Sequence, residues 1–233
     1  MAQTIQSTTR MGISCNDLIR LNCELCFPSS SIVNTIQLAD ALSSNAGADQ
    51  FEIVGLDASP GMLDVAGTTI QKHVGTENPS PAVTLGIFDL LYTTMEQLPA
   101  SLREPTAGAV GVISTLVLEH IPLQQFFTAA SAIMRAGAYL LVTNMHADMG
   151  MRSQAGFTDP ATGVKIRPTS YCHQIGDVVA VAAEAGFKIE DVVGCNEDGV
   201  LARGVDEASG KVLGARAKKW DGVRVWFGVC FSK

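Results

Sequence analysis

The sequence predicts an α/β fold: a mostly parallel sheet with helices on both faces and an antiparallel strand pair at the C-terminal end. Three observations predict it. Short apolar runs at 51–56, 83–88, 109–114 and 138–143 are separated by segments of helical period. Strands separated by helices need crossover connections, and crossovers make neighbouring strands parallel. Two of these runs lead directly into an aspartate, Asp57 and Asp89, at the strand end where open α/β sheets bind ligands. A last run, 223–232, is dense in β-branched and aromatic residues and follows a long connection, 195–222, which allows it to close the sheet antiparallel.

The elements follow in order. Residues 1–30 carry no clear period and are expected to be an irregular segment preceding a single domain over 31–233. Ile32, Ile36, Leu38, Ala39 and Leu42 recur at helical spacing, and Asn45-Ala-Gly47 is a stop signal. After the 51–56 strand, Ser59 can cap a helix over about 60–72, with Pro60 at its first position and Met62, Leu63 and Ala66 on one face. A helix over 122–135 turns Phe126, Phe127, Ala130 and Met134 inward, and Gly137 closes it. Residues 147–170 are rich in Gly, Asp and Pro and read as a long loop, the kind that often serves as a functional lid. A helix over 177–185 stops at Gly186-Phe187, and 188–194 is a further strand.

Composition narrows the function classes. With 47% hydrophobic and 17% charged residues the 233-residue chain has ample material for one sizeable core. Sixteen basic against 23 acidic residues give a formal charge of −7, and no Lys/Arg cluster supplies the footprint of a nucleic-acid binder. The apolar stretches are too short to span a bilayer, and the polar first ten residues lack the apolar core of a secretory signal. The expectation is a cytoplasmic protein with a small-molecule substrate, no nucleic-acid or membrane partner, and six reduced cysteines. Cys23 and Cys26 have half-site zinc spacing, but the candidate second pair, Cys172 and His173, is adjacent rather than spaced, so no metal is expected.

The ordered motifs resemble a known family. Glu52-Ile-Val-Gly-Leu-Asp-Ala-Ser-Pro-Gly-Met-Leu-Asp-Val-Ala66 resembles the second-strand motif of class I, Rossmann-like S-adenosylmethionine-dependent methyltransferases. Val110-Gly-Val-Ile-Ser-Thr-Leu-Val-Leu-Glu-His-Ile-Pro122 is similar to that family's fourth-strand motif. Met134-Arg-Ala-Gly-Ala-Tyr-Leu-Leu-Val142 is similar to the lead into its fifth strand, and Ala182-Ala-Glu-Ala-Gly-Phe187 to its last helix. The resemblance covers about 32–233, and the second-strand motif is its most specific piece.

A carboxylate just past a parallel strand can accept both hydrogen bonds from the vicinal hydroxyls of a ribose, the role given to Asp57; a helix-capping or solvated loop aspartate is the bland alternative. Ala58 and Ser59 would line the same edge. Met62 packs on the adenine or into the core. The resemblance implies that the Asp89 carboxylate and the Leu90 backbone N–H meet the adenine, against an ordinary turn aspartate. It also implies that Ser114 and Thr115 lie beside the methionine moiety.

One part of the family pattern is missing. Its first motif is a strand leading into a glycine-rich loop, whose glycines let backbone approach the cofactor. Here no glycine occurs between Gly12 and Gly47, and the loop position reads Pro28-Ser-Ser-Ser31. Either that loop has diverged to serine hydroxyls, or the first strand and loop have been lost.

Methyl transfer asks mainly that the attacking atom be held in line, with a base only where the nucleophile must lose a proton. His146, just past the fifth strand, and His173, at the start of the last helix, are the candidate base or substrate anchor. His73 reads as solvated, and His120 as packing within the fourth-strand motif. The functional expectation is S-adenosylmethionine-dependent methylation of a small molecule. The alternative is a catalytically inactive binding or regulatory module of the same fold. A nicotinamide-dependent dehydrogenase would also need a glycine fingerprint.

Overall fold

A computed structural model describes residues 2–7, 51–73, 82–153, 156–167, 169–191, 198–206 and 214–233. The helical run read at 32–44, the serine-rich loop at 28–31 and the Cys23/Cys26 pair lie outside the described residues. The strands are β1 (Ala2–Ser7), β2 (Phe51–Asp57), β3 (Ala82–Ile87), β4 (Ala109–Thr115), β5 (Met134–Met145), β6 (Phe157–Thr158), β7 (Lys165–Ile166), β8 (Lys188–Ile189), β9 (Val200–Gly204) and β10 (Arg224–Ser232). The α-helices are α1 (Pro60–His73), α2 (Ala100–Thr106), α3 (Leu123–Ile133), α4 (Ala147–Arg152) and α5 (Ile175–Glu184).

The main sheet runs β3-β2-β1-β4-β5-β10-β8, with β9 also on β10. β2 pairs parallel with β3, and β4 parallel with β5. β10 is antiparallel to β5, β8 and β9, the closing arrangement that the long 195–222 connection allows. Both faces are covered. On one, Val112, Leu140, Val142 and Phe227 pack with α3 and α5. Val54, Leu56, Phe88, Leu98 and Leu102 of the β2–α2 region join that face through Leu90 and Met95. On the other, Ala66 of α1 packs with Leu63 and Leu85. Phe127 is fully buried and meets Phe126 and Phe231 edge-on, at 5.1 and 5.7 Å between centroids. Such pairs add about 0.5–1.5 kcal/mol to the burial itself.

Local signals act where the sequence places them. Ser59 Oγ accepts the Met62 N–H at 3.3 Å and caps α1. α5 ends as expected: Gly186 has φ +89°, its N–H bonds the Ala183 carbonyl, and the Phe187 N–H bonds the Ala182 carbonyl.

Five expectations need correction. Gly137 does not close a helix. α3 stops at Ile133, and Gly137, at φ +75°, sits inside β5, where the pairing shifts from Ala109↔Met134 to Gly111↔Tyr139. The glycine absorbs a bulge, and its N–H reaches the Lys233 carbonyl at 2.8 Å. The 147–170 stretch is not one loop: it holds α4 and the two-stranded β6–β7 ribbon. The connection 195–222 contains β9 and a 3₁₀ helix, Gly214–Trp220. Cys230, expected as a free thiol, is disulfide-bonded.

The fifth concerns the N-terminal segment. Ala2–Ser7 is a strand, and it lies between β2 and β4, antiparallel to both. Ala2 pairs with Leu56 and Ser114 at the carboxyl edge of the parallel strands, while Ser7 pairs with Phe51 at the opposite edge. Six residues with little alternation give no period to read, and only two waiting edges make them a strand. Among the described residues, no helix is long and apolar enough to cross a membrane.

Candidate functional site

Asp57 ends β2 and pairs with Ile87 of β3, so the two strands deliver Asp57 and Asp89 to neighbouring positions on one sheet edge. Asp57 Oδ1 accepts the Ser59 N–H at 2.8 Å, a turn that holds the carboxylate at the strand end. Ala58 and Ser59 are exposed beside it. Met62 is 38% exposed, so it is not a core methionine; it stands on the first turn of α1, above the same edge. Asp89 Oδ1 accepts the Leu91 N–H at 2.9 Å, and the Leu90 carbonyl accepts from Gln125 Nε2 at 2.7 Å. The Asp89–Leu90 turn is thereby pinned to α3. The aspartates form local turns and remain partly exposed, which is compatible with both roles weighed for them.

The ends of β4 and β5 make the next part of the edge. Ser114 and Thr115 lie side by side with Val142 and Thr143, and the Thr115 and Thr143 hydroxyls are 3.3 Å apart. Leu116 follows at φ +55°, a left-handed conformation that a branched side chain adopts at a cost of about 1–2 kcal/mol. Its N–H bonds the Thr143 carbonyl, locking the turn. Such strain is typical of ligand-bearing turns, and nothing in the residue type announces it. Asn144 and Glu119 were also not singled out from the sequence. The signal available was a polar pair, Thr143-Asn144, interrupting an otherwise apolar strand end.

The two candidate histidines separate. His146 is 3% exposed, and its Nδ1 accepts the Asp148 N–H at 3.0 Å, so its proton sits on Nε2 and its lone pair is already taken. Burial holds this imidazole below its ordinary value; Asp148, at 3.6 Å, opposes the shift and Arg224 adds to it. His173 is the reverse. Its Nε2 lies 3.0 Å from the Ile121 carbonyl, which can only accept, so the proton is on Nε2 and Nδ1 carries the lone pair. The ring stacks on Tyr171, with planes 6° apart and centroids 5.1 Å apart. The Tyr171 N–H bonds the Glu119 carbonyl, so 171–173 runs along 119–121, just past β4. His120 is exposed and pairs with Glu119 at 3.3 Å, which raises its pKa. His73 is the last residue of α1.

A pH dependence follows from His146. Its folded-state pKa is lowered, so the unfolded chain binds the proton more readily, and this stability contribution is lost as pH falls below about 6.5. The slope is at most one proton, about 1.4 kcal/mol per pH unit. His146→Asn keeps an acceptor for the Asp148 N–H but does not titrate. Its melting temperature relative to the parent is expected to rise between pH 7.5 and 5.5; a constant difference would exclude this account. His120 contributes with the opposite sign in both proteins and cancels in the comparison.

No family model matches the chain. Over 198 residues it is 51% identical to a protein of Emericella nidulans named an uncharacterized methyltransferase. The match covers 84% of this chain and 66% of that protein, so the chain spans about two thirds of the relative's length. Among solved structures, it is similar to a S-adenosylmethionine-dependent methyltransferase of Mesorhizobium loti, with TM-score 0.51, 15% identity, and 77% and 80% of the two chains covered. A S-adenosylmethionine-dependent methyltransferase of Methanosarcina mazei matches with TM-score 0.50 and 10% identity over 77% and 81%. The [4+2]-cyclase SpnF matches with TM-score 0.50 and 12% identity over 86% and 70%. At these identities the likeness is one of fold, and its presence in a cyclase shows that chemistry must be argued from the site.

Proposed function

We propose that this chain, which has the class I, Rossmann-like methyltransferase fold, is a methyltransferase that binds S-adenosylmethionine and methylates a small molecule. The observation that carries the reading is the pair Asp57 and Asp89 on adjacent strand ends of one sheet edge, with Met62 exposed above it. That edge suits an adenosine: Asp57 takes the ribose hydroxyls, and Asp89 with Leu90 meets the adenine. Ser114 and Thr115 stand farther along the edge, toward the methionine end. The bound cofactor supplies an activated methyl group. The protein's part is to orient the acceptor, keep water away and remove a proton where the acceptor has one to lose. His173 is suited to that last task because Nδ1 is its open lone pair, while His146 is suited to donating from Nε2–H. The acidic chain, with net charge −7, favours an acceptor other than nucleic acid.

A second reading, a binding module without turnover, is favoured by the direction of β1. A cofactor loop should leave the first strand at the ligand edge, but β1 ends at Ser7, on the opposite edge. Calorimetry with S-adenosylhomocysteine tests the first reading; saturable binding at or below millimolar ligand is expected. No heat of binding at that concentration would reject it. Methylated product from any small acceptor would reject the second.

A further inference from the structure

The buried side-chain oxygens that lack a hydrogen-bond partner among the described residues are Ser114 Oγ, Glu119 Oε2 and Asn144 Oδ1. They fall in one place. Ser114 is the penultimate residue of β4, Asn144 the penultimate residue of β5, and Glu119 sits in the 3₁₀ turn Leu118–His120, which packs against β5. Ser114 and Asn144 are 1% and 4% exposed. Strand alternation places both on the α3/α5 face, with Val112 and Val142 as the next residues below them. Buried polar atoms without partners are rare in folded proteins and costly to keep, so three at one sheet edge mark a position that a ligand completes.

We propose that Ser114, Glu119 and Asn144 form a subsite for a primary ammonium group on the methyl acceptor. The inference rests on the reading of this edge as a methyltransferase site. A hydroxyl, a carboxylate and an amide carbonyl present three oxygens that can accept, matching the three N–H donors of an ammonium. Glu119 supplies the countercharge; its other oxygen, Oε1, is held by His120 at 3.3 Å. Position assigns the group to the acceptor rather than the cofactor. Asp57 and Asn144 are three strand spacings apart along the order β2-β1-β4-β5, about 14 Å. From an adenosine held at Asp57, a homocysteine arm adds five single bonds of about 1.5 Å each, roughly 7 Å at most. The ribose and a hydrogen bond at each end add several ångströms, so length alone lets the arm approach β5, and it is the candidate base His173, tied at Ile121 two residues from Glu119, that puts the subsite on the acceptor's side. Tyr171 and His173, tied to the backbone of 119 and 121, run beside the subsite.

The test uses the full chain with Asn144→Leu and Glu119→Gln. The probes are tyramine and ethanolamine, each paired with its N-acetyl counterpart, and binding is measured with S-adenosylhomocysteine saturating. The amines are expected to bind at least about tenfold more tightly than the amides. Each variant should lose about tenfold or more in amine affinity, with S-adenosylhomocysteine affinity unchanged within about twofold. The unliganded melting temperature of Asn144→Leu should equal or exceed the parent's, because the substitution removes an unpaired buried amide oxygen and gives up only the long 3.4 Å bond from Nδ2 to the Met145 carbonyl. The proposal is overturned if amines and amides bind alike, if no amine binds, or if the variants keep full amine affinity. It is also overturned if S-adenosylhomocysteine affinity falls in step, which gives the site to the cofactor, or if Asn144→Leu melts several degrees lower. If the parent binds no S-adenosylhomocysteine, the methyltransferase reading fails separately, and the amine–amide comparison without it still judges the subsite.

Discussion

Asp57→Ala is expected to weaken S-adenosylhomocysteine binding by about 100-fold or more while leaving the unliganded melting temperature nearly unmoved. The carboxylate stands at the end of β2, where two vicinal ribose hydroxyls can each donate to it. Charge-assisted hydrogen bonds are worth roughly 1.5–3 kcal/mol apiece, and 1.4 kcal/mol is one decade in affinity. The cap of α1 belongs to Ser59, whose Oγ takes the Met62 N–H, and Asp57 contributes the Oδ1 to Ser59 N–H turn. Losing one such turn bond costs about 1 kcal/mol, a few degrees at most for a chain of this size. Asp57→Asn separates the two effects, because the amide oxygen can keep the turn while the charge is gone. Calorimetry and thermal melts on the same samples decide it. Unchanged affinity in the alanine variant would move the ligand elsewhere, and a large loss of unliganded stability would return Asp57 to a purely structural part.

His173→Gln is expected to lower kcat by about 10²–10⁴ for an acceptor that must lose a proton, with cofactor affinity within a few-fold of the parent. The glutamine amide can still donate to the Ile121 carbonyl, so the backbone tie at 3.0 Å survives and the lone pair of Nδ1 does not. A second readout separates a base from a brace. The variant's loss should be confined to acceptors that must lose a proton, and an acceptor with none to lose, such as a tertiary amine, should react alike in both. His173→Phe keeps a ring to stack on Tyr171 and should behave like the glutamine variant if the base is what matters. An equal loss with both kinds of acceptor would make His173 a brace and reassign the proton transfer. His146 offers no substitute: its lone pair is spent on the Asp148 N–H, and burial disfavours its protonation.

The direction of β1 sets how the cofactor half of the site must be judged. The adenosine side rests on β2 and β3, which have family-like motifs and the expected parallel pairing. The slot between β2 and β4, where the glycine-rich motif would otherwise deliver backbone to the cofactor, is filled by a strand running the other way. Among the described residues, the terminus of β4 at Thr115 is what is left to meet the methionine end. This is why the calorimetric test precedes any search for an acceptor.

Much of this was legible in the residues themselves. The strands at 51–57, 82–87, 109–115 and 224–232 and the helices at 60–73 and 175–184 carry their periods and stop signals within their own spans. So do Asp57 and Asp89, because a residue that ends a parallel strand is at the ligand edge wherever the strand sits in the sheet. Local stereochemistry suffices for such features. Tertiary structure alone decided the rest. Ala2–Ser7 has no period of its own and became a strand because two sheet edges needed partners. Gly137 has the same left-handed freedom in a helix cap and in a bulge, and only the β4–β5 register selected the bulge. The lone pairs of His146 and His173 were distributed by a backbone N–H two residues away and by a carbonyl 52 residues away. The orphan oxygens of Ser114, Glu119 and Asn144 share one edge because crossover connections bring separate strand ends together, a long-range outcome that no local pattern encodes.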